Sequence, residues 1–223
     1  MSEGTYPSSL DDARRQLRAR QGLGARYDSP NAPARELSWA RLGAAYFARK
    51  LNELSDADLD APSLVAGWSR RHVISRVGYQ ARALARLVEA ARTGIPTRPY
   101  EELEQRSWEI EDGATLPARA LRYLYDHAQI HLDVEWRDLD AQGWDRITTS
   151  DGIPPIVARE TPWMRAQLIW LSAVDLDNGG SFADLPRDLH ARLVEIYGQG
   201  GSAASLSGNA PAIARLHQVS QVP

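Results

Sequence analysis

The chain has 223 residues, 43% hydrophobic and 25% charged, with a formal net charge of −3. This length supports one large domain, or one domain with an appendage; the mild acidity excludes the basic footprint of a nucleic-acid binder or a polybasic membrane patch. The lack of cysteine excludes disulfides, thiolate nucleophiles and Cys-zinc sites. No apolar segment follows Met1 as in a signal peptide, and no run nears the ~18 residues of a membrane span, so a cytoplasmic protein is expected. Lys50 is the only lysine, and together with abundant alanine this bias points to a high-GC, actinobacterial coding sequence.

Residues 1–34 are polar and turn-rich ("MSEGTYPSSLDD", "YDSPNAPA"), with a short helical pattern around Leu10 to Arg20, and read as a partly disordered extension. The first strong helix is "ELSWARLGAAYFARKLNEL", with Trp39, Leu42, Tyr46 and Leu54 taken as its apolar stripe. After the turn "SDADLDAPSLVAG", a second helix starts at the N-cap Ser69 and stops at Gly94, with Val73, Val77, Leu84, Leu87 and Val88 inward. A long connection, "IPTRPYEELEQRSWEIEDGA", leads to a third helix whose core face is Leu121, Leu124, Ala128, Leu132, Trp136 and Leu139. "GWDRITTSDGIPPIVARE" reads as a short hairpin or a loop. The fourth helix opens at Thr161-Pro162 and closes at Asn178-Gly179.

Four amphipathic helices predict an all-α helix bundle over residues 35–182. Residues 183–223 contain a helical stretch, "DLPRDLHARLVEIYG", then a Gly/Ser/Ala-rich run; about forty residues hold no full core, so this appendage is expected to lean on the bundle.

The segments "LSDADLDAPSLVAGWSRRHVIS", "TPWMRAQLIWLSAVDLDNGGSFADLP" and "SLSGNAPAIARL" resemble the mycothiol-dependent maleylpyruvate isomerase family, over roughly Glu36 to Leu216. The resemblance implies a DinB-like four-helix bundle with a short α/β-like C-terminal appendage. It also implies one divalent metal held by a His one turn beyond the first His of the second helix, and by a Glu and a His four residues apart on the last bundle helix. Those places hold Arg76, Leu168 and Ser172, while the earlier histidine stands as His72. The family's Gly-Arg ending, which supplies a substrate-side arginine, has "LHQVSQ" in its place. Leucine donates no lone pair, serine is a poor neutral ligand, and arginine repels a divalent ion. No metal is therefore expected at these positions, and mycothiol dependence, which rests on the metal, is in doubt with it.

Among the candidate site residues, Arg76 is expected to face Arg165, Leu168 and Ser172 on the fourth helix, where a guanidinium stands in the place of a metal. Two roles follow for it: gripping a ligand carboxylate, or pairing with a bundle acid such as Asp175 or Glu135. His72 and His131 are candidate proton movers and Arg76 the third catalytic candidate. The substrate-binding candidates are Arg76, Arg165, Ser172, Tyr79, Gln80 and Trp68, with Tyr125 also near the cavity. His127, His131 and Glu135 are the one His/Glu ladder with metal-like spacing, read either as a surface cluster or as a relocated metal site.

Three functions compete. The first is a metal-independent isomerase, cyclase or thiol-type tailoring enzyme acting on a small carboxylated substrate. The second is a non-catalytic ligand-binding or partner protein. The third is a mycothiol-dependent metal enzyme using His127, His131 and Glu135. The expected partner is a small molecule rather than nucleic acid or membrane, with a homodimer left open.

Overall fold

The structure, a computed structural model, describes residues 27–95, 105–150 and 153–198, together with Asp12 and Arg15. The remainder of the extension and everything after residue 198, including the Gly/Ser/Ala-rich run, lie outside the described residues.

Helix α1 spans Ala34–Asn52. It contains no β-branched residue, which favours helix. Its inner stripe is Leu37, Ala40, Ala44, Phe47 and Leu51, all buried and spaced three or four apart. Leu42, expected in the core, is 52% exposed. It lies about 140° around the helix from Leu37, by the ~100° advance per residue. Trp39 and Tyr46 are buried beside the stripe because later elements cover them: Trp39 Nε1 donates to Asp188 at 3.1 Å and Tyr46 Oη to Asp184 at 2.8 Å.

Helix α2 spans Arg70–Thr93, with Ser69 as N-cap and Gly94 closing it at φ +74°, a left-handed conformation that glycine adopts without a Cβ penalty. Its predicted stripe is buried throughout. The connection that follows is not a plain loop, for it contains helix α3, Gln105–Thr115. Topology explains why. Helix α4, Ala118–Asp138, runs in the same direction as α2, with Leu124 against Gly78 near one end and Glu135 bonded to Arg92 near the other. Parallel neighbours oblige the chain to return the length of α2, roughly 36 Å at ~1.5 Å per residue, before α4 begins. Gly113 fits α3 tightly onto α2, since a Cβ there would meet Ser75 Oγ.

A two-stranded antiparallel hairpin, β1 (Ile147–Ser150) and β2 (Ile153–Val157), follows. Helix α5, Thr161–Asp175, has Pro162 in its first turn and is buried on nearly every side. It packs along α1, with Trp170 Nε1 donating to the Trp39 carbonyl at 2.9 Å, and it crosses α2 in the opposite direction. Gly43 permits the α1–α5 approach, because a Cβ there would lie 2.7 Å from Ile169 and Trp170 side-chain atoms. Helices α1, α2, α4 and α5 form the four-helix bundle. Helix α6, Arg187–Gly198, then lays Leu189, Leu193 and Tyr197 against it, and Tyr197 Oη donates to Gln167 at 2.6 Å. Among the described residues, no helix is long and apolar enough to cross a membrane.

Candidate functional site

The start of α2 and the end of α5 meet at one end of the bundle. The loop before α2 is fastened onto the C-terminus of α5, whose orphan carbonyls need donors. Leu64 N–H donates to the Asp175 carbonyl at 2.9 Å, and Arg70 reaches the Leu176 and Asp177 carbonyls at 2.7 and 2.6 Å.

One turn beyond His72 on α2, Arg76 points into the core and is 2% exposed. Its Nη2 donates to Ser172 Oγ at 2.8 Å and pairs with Asp175 Oδ2 at 3.1 Å, where Asp175 is fully buried. Of the two partners open to Arg76, the bundle acid is the one in contact, and that acid is Asp175; Glu135 pairs with Arg92 instead. Trp68 lies over the guanidinium, 5.2 Å from ring centroid to Cζ, a cation–π contact. Leu168, 3% exposed, belongs to the apolar core. Offered to a divalent cation, Ser172, Leu168 and Arg76 supply one neutral hydroxyl, an alkane and a fixed positive charge, and the neighbouring Asp175 carboxylate is already paired with Arg76.

His72 sits at the mouth of this region, beside Trp68, with ring centroids 5.9 Å apart and planes inclined by 26°. The Ser69 N–H donates to His72 Nδ1 at 3.2 Å, so the neutral ring carries its proton on Nε2, which faces Glu111 Oε2 of α3 at 3.4 Å. Tyr79, half-buried, has its phenol pKa raised by burial.

Arg165 lies nearer the start of α5, about two turns before Ser172, and is completely buried. Its Nη1 donates to the Val77 carbonyl at 2.7 Å and to Gln80 Oε1 at 2.8 Å, while Nε and Nη2 share Gln129 Oε1 at 3.1 and 2.7 Å. Burial pushes its pKa down to about 10, still charged at neutral pH. Gln129 was not singled out in the sequence; the available signal was its place on α4 one turn beyond Tyr125, at the edge of the Leu121–Ala128–Leu132 stripe. Tyr125, placed near the cavity by sequence, faces α1 and donates to the Ala44 carbonyl at 2.7 Å.

His131 is not gathered with these groups. It is half exposed on α4, with Nε2 3.5 Å from Glu135 Oε1, and Glu135 bonds Arg92 near the end of α2. At ~1.5 Å per residue that point lies about 24 Å along the helix from Arg76. His127 is exposed, its ring 6.4 Å from that of His131. Among the described residues, no three His, Cys, Asp or Glu side chains stand as a group that could hold a metal. Two clefts, of about 510 and 860 Å³, open elsewhere, the first beside Asp28 and Arg41 and the second beside Trp39 and Arg192.

Comparison with known proteins decides the lineage. The model of the mycothiol maleylpyruvate isomerase N-terminal domain matches residues 40–177. Crystal structures of the mycothiol-dependent maleylpyruvate isomerase, and of a histidine-to-alanine variant of it, each superpose with a TM-score of 0.69 at 35% identity, covering 76% of this chain and 72% of theirs. This chain belongs to the mycothiol maleylpyruvate isomerase family. Its bundle is therefore the DinB-like one, with the family's helices in the family's order. No protein of curated function matches it.

Proposed function

We propose that this family member is an enzyme that works without the family's metal, isomerising, cyclising or thiol-tailoring a small carboxylated substrate. The observation that carries the reading is the Arg76 guanidinium seated between Ser172 and Asp175. A permanent cation occupies the place for which the resemblance implies a divalent ion, and Asp175 neutralises it. The residues at the implied ligand positions do not fit a metal, so no step is routed through one. His72 is the proton mover: its Nδ1 is anchored by the Ser69 backbone, which leaves Nε2 free to move a proton beside Trp68 and Glu111. The small molecule is the partner, and mycothiol, named for the relatives, is a candidate co-substrate.

The test is conversion of maleylpyruvate, with and without mycothiol and EDTA. Turnover that survives the chelator supports the reading; full loss with EDTA, restored by zinc, refutes it. A binding protein without turnover is the second reading, favoured by the depth at which Arg76 is buried and paired. A metal relocated to His127, His131 and Glu135 has less support, because Arg92 already holds both oxygens of the Glu135 carboxylate.

A further inference from the structure

Among the described residues, two arginines are buried in the bundle, and their surroundings differ in one respect. Arg76 faces a buried carboxylate, Asp175. Arg165 is fully buried too, yet each partner of its N–H groups among the described residues is neutral: one backbone carbonyl and the side-chain amides of Gln80 and Gln129. The ionisable neighbour acting on it is the Tyr125 phenol, not an acid. A buried charge without a counter-charge is costly, because its lost hydration is not repaid by Coulomb attraction. A core that retains such a charge has a reason to keep it, and an incoming anion is one.

The arrangement of the donors identifies the anion. Gln129 Oε1 accepts from both Nε and Nη2, so a single amide oxygen spans the edge of the guanidinium that a carboxylate grips with two oxygens. Gln129 and Gln80 are both half-buried, unlike Arg165 beneath them, so each has a route outward. We propose that Arg165 is a carboxylate subsite, with Gln129 as a displaceable stand-in whose amide swings away when a ligand carboxylate docks on the Nε–Nη2 edge. Gln80 keeps its bond to Nη1 and steadies the plane of the guanidinium. This deepens the proposed function by assigning substrate binding to Arg165 and leaving Arg76 to fill the core.

The experiment measures binding rather than turnover, and so is independent of whether the protein is an enzyme. Succinate and acetate are titrated into the full chain by calorimetry and by thermal melting, at constant ionic strength set with chloride. The wild type is expected to bind succinate saturably and to melt at higher temperature with it. Gln129→Glu installs the missing carboxylate within the protein; it is expected to melt higher than wild type without ligand, and to lose succinate affinity by about tenfold or more. Arg165→Gln is expected to abolish binding while leaving the helical circular dichroism in place. No saturable binding to the wild type, or equal affinity in Gln129→Glu, overturns the subsite. A Gln129→Glu protein that melts no higher than wild type overturns the argument from uncompensated charge. Binding without turnover leaves the subsite standing and refutes the enzymatic reading alone.

Discussion

The Arg76–Asp175 pair offers the sharpest energetic test. Both groups are essentially out of solvent, at 2% and 0% exposure, with Arg76 Nη2 3.1 Å from Asp175 Oδ2. Asp175→Asn keeps shape and volume but strips the counter-charge, leaving a guanidinium in the core with Ser172 as its neutral acceptor. Removing one partner of such a pair costs about 3–5 kcal/mol, whereas replacing both with apolar groups of similar volume is neutral or stabilising by ~1–4 kcal/mol. Asp175→Asn is therefore expected to lower stability by about 3–5 kcal/mol, and Arg76→Met with Asp175→Leu to recover all of it. At ~2–4 °C per kcal/mol for a chain of this size, the single variant melts roughly 6–20 °C lower. Urea unfolding of the four members of the double-mutant cycle measures it. A loss below ~1 kcal/mol for Asp175→Asn would show that the carboxylate does not balance the guanidinium, and the account of a protein cation in the metal's place would fall with it.

Further expectations rest on other contacts. Thr161→Val removes the acceptor of Trp136 Nε1, 2.9 Å away in a fully buried position, and should cost about 1–3 kcal/mol by urea unfolding. Gly43→Ala forces a methyl into the α1–α5 contact and should cost ~1–3 kcal/mol, read as a lower melting temperature. Asp184 has its carboxyl pKa lowered, chiefly by the Tyr46 hydroxyl, so its contribution is present above the ordinary Asp range and fades as pH falls through the lowered value. Tyr46, pushed up to about 12 mainly by burial, contributes fully below its ordinary pKa near 10, and that contribution is lost as pH rises through the folded value. In Tyr46→Phe, acid unfolding between pH 2 and 5 should start at higher pH than in wild type; an unchanged onset refutes the coupling.

The repeating apolar positions of α2 and α4 were legible because each helix buries one face, and a 3.6-residue period survives in the sequence. Ser69, Gly94 and Pro162 marked boundaries for backbone reasons that need no tertiary knowledge. Leu42 misled because α1 turns its Leu37–Phe47 side inward, and a single leucine beside Trp39 does not settle which of two apolar flanks wins. Helix α3 was missed because its "QRSWEIEDGAT" has only Trp108 and Ile110 as large apolar residues, and Trp108 is 57% exposed. The candidate site was half legible. The spacing of Arg76 and Ser172 along two helices anticipated their contact, and Asp175 was named as one possible acid. Gln129 escaped because an amide carries no charge by which sequence could pair it with Arg165, and only the fold shows both Nε and Nη2 converging on it.

The arrangement of α1 and α5 bears on how the chain assembles. These helices are packed neighbours, yet more than a hundred residues separate Asn52 from Thr161, so the hydrophobic stripe of α1 leaves the ribosome long before its cover exists. Helices α2 and α4, joined by a far shorter crossover, can associate first, at lower loop-closure entropy. Until α5 brings Trp163 and Trp170 against them, Trp39 and Tyr46 are an adhesive surface, and slow synthesis over that interval should raise the demand for chaperones.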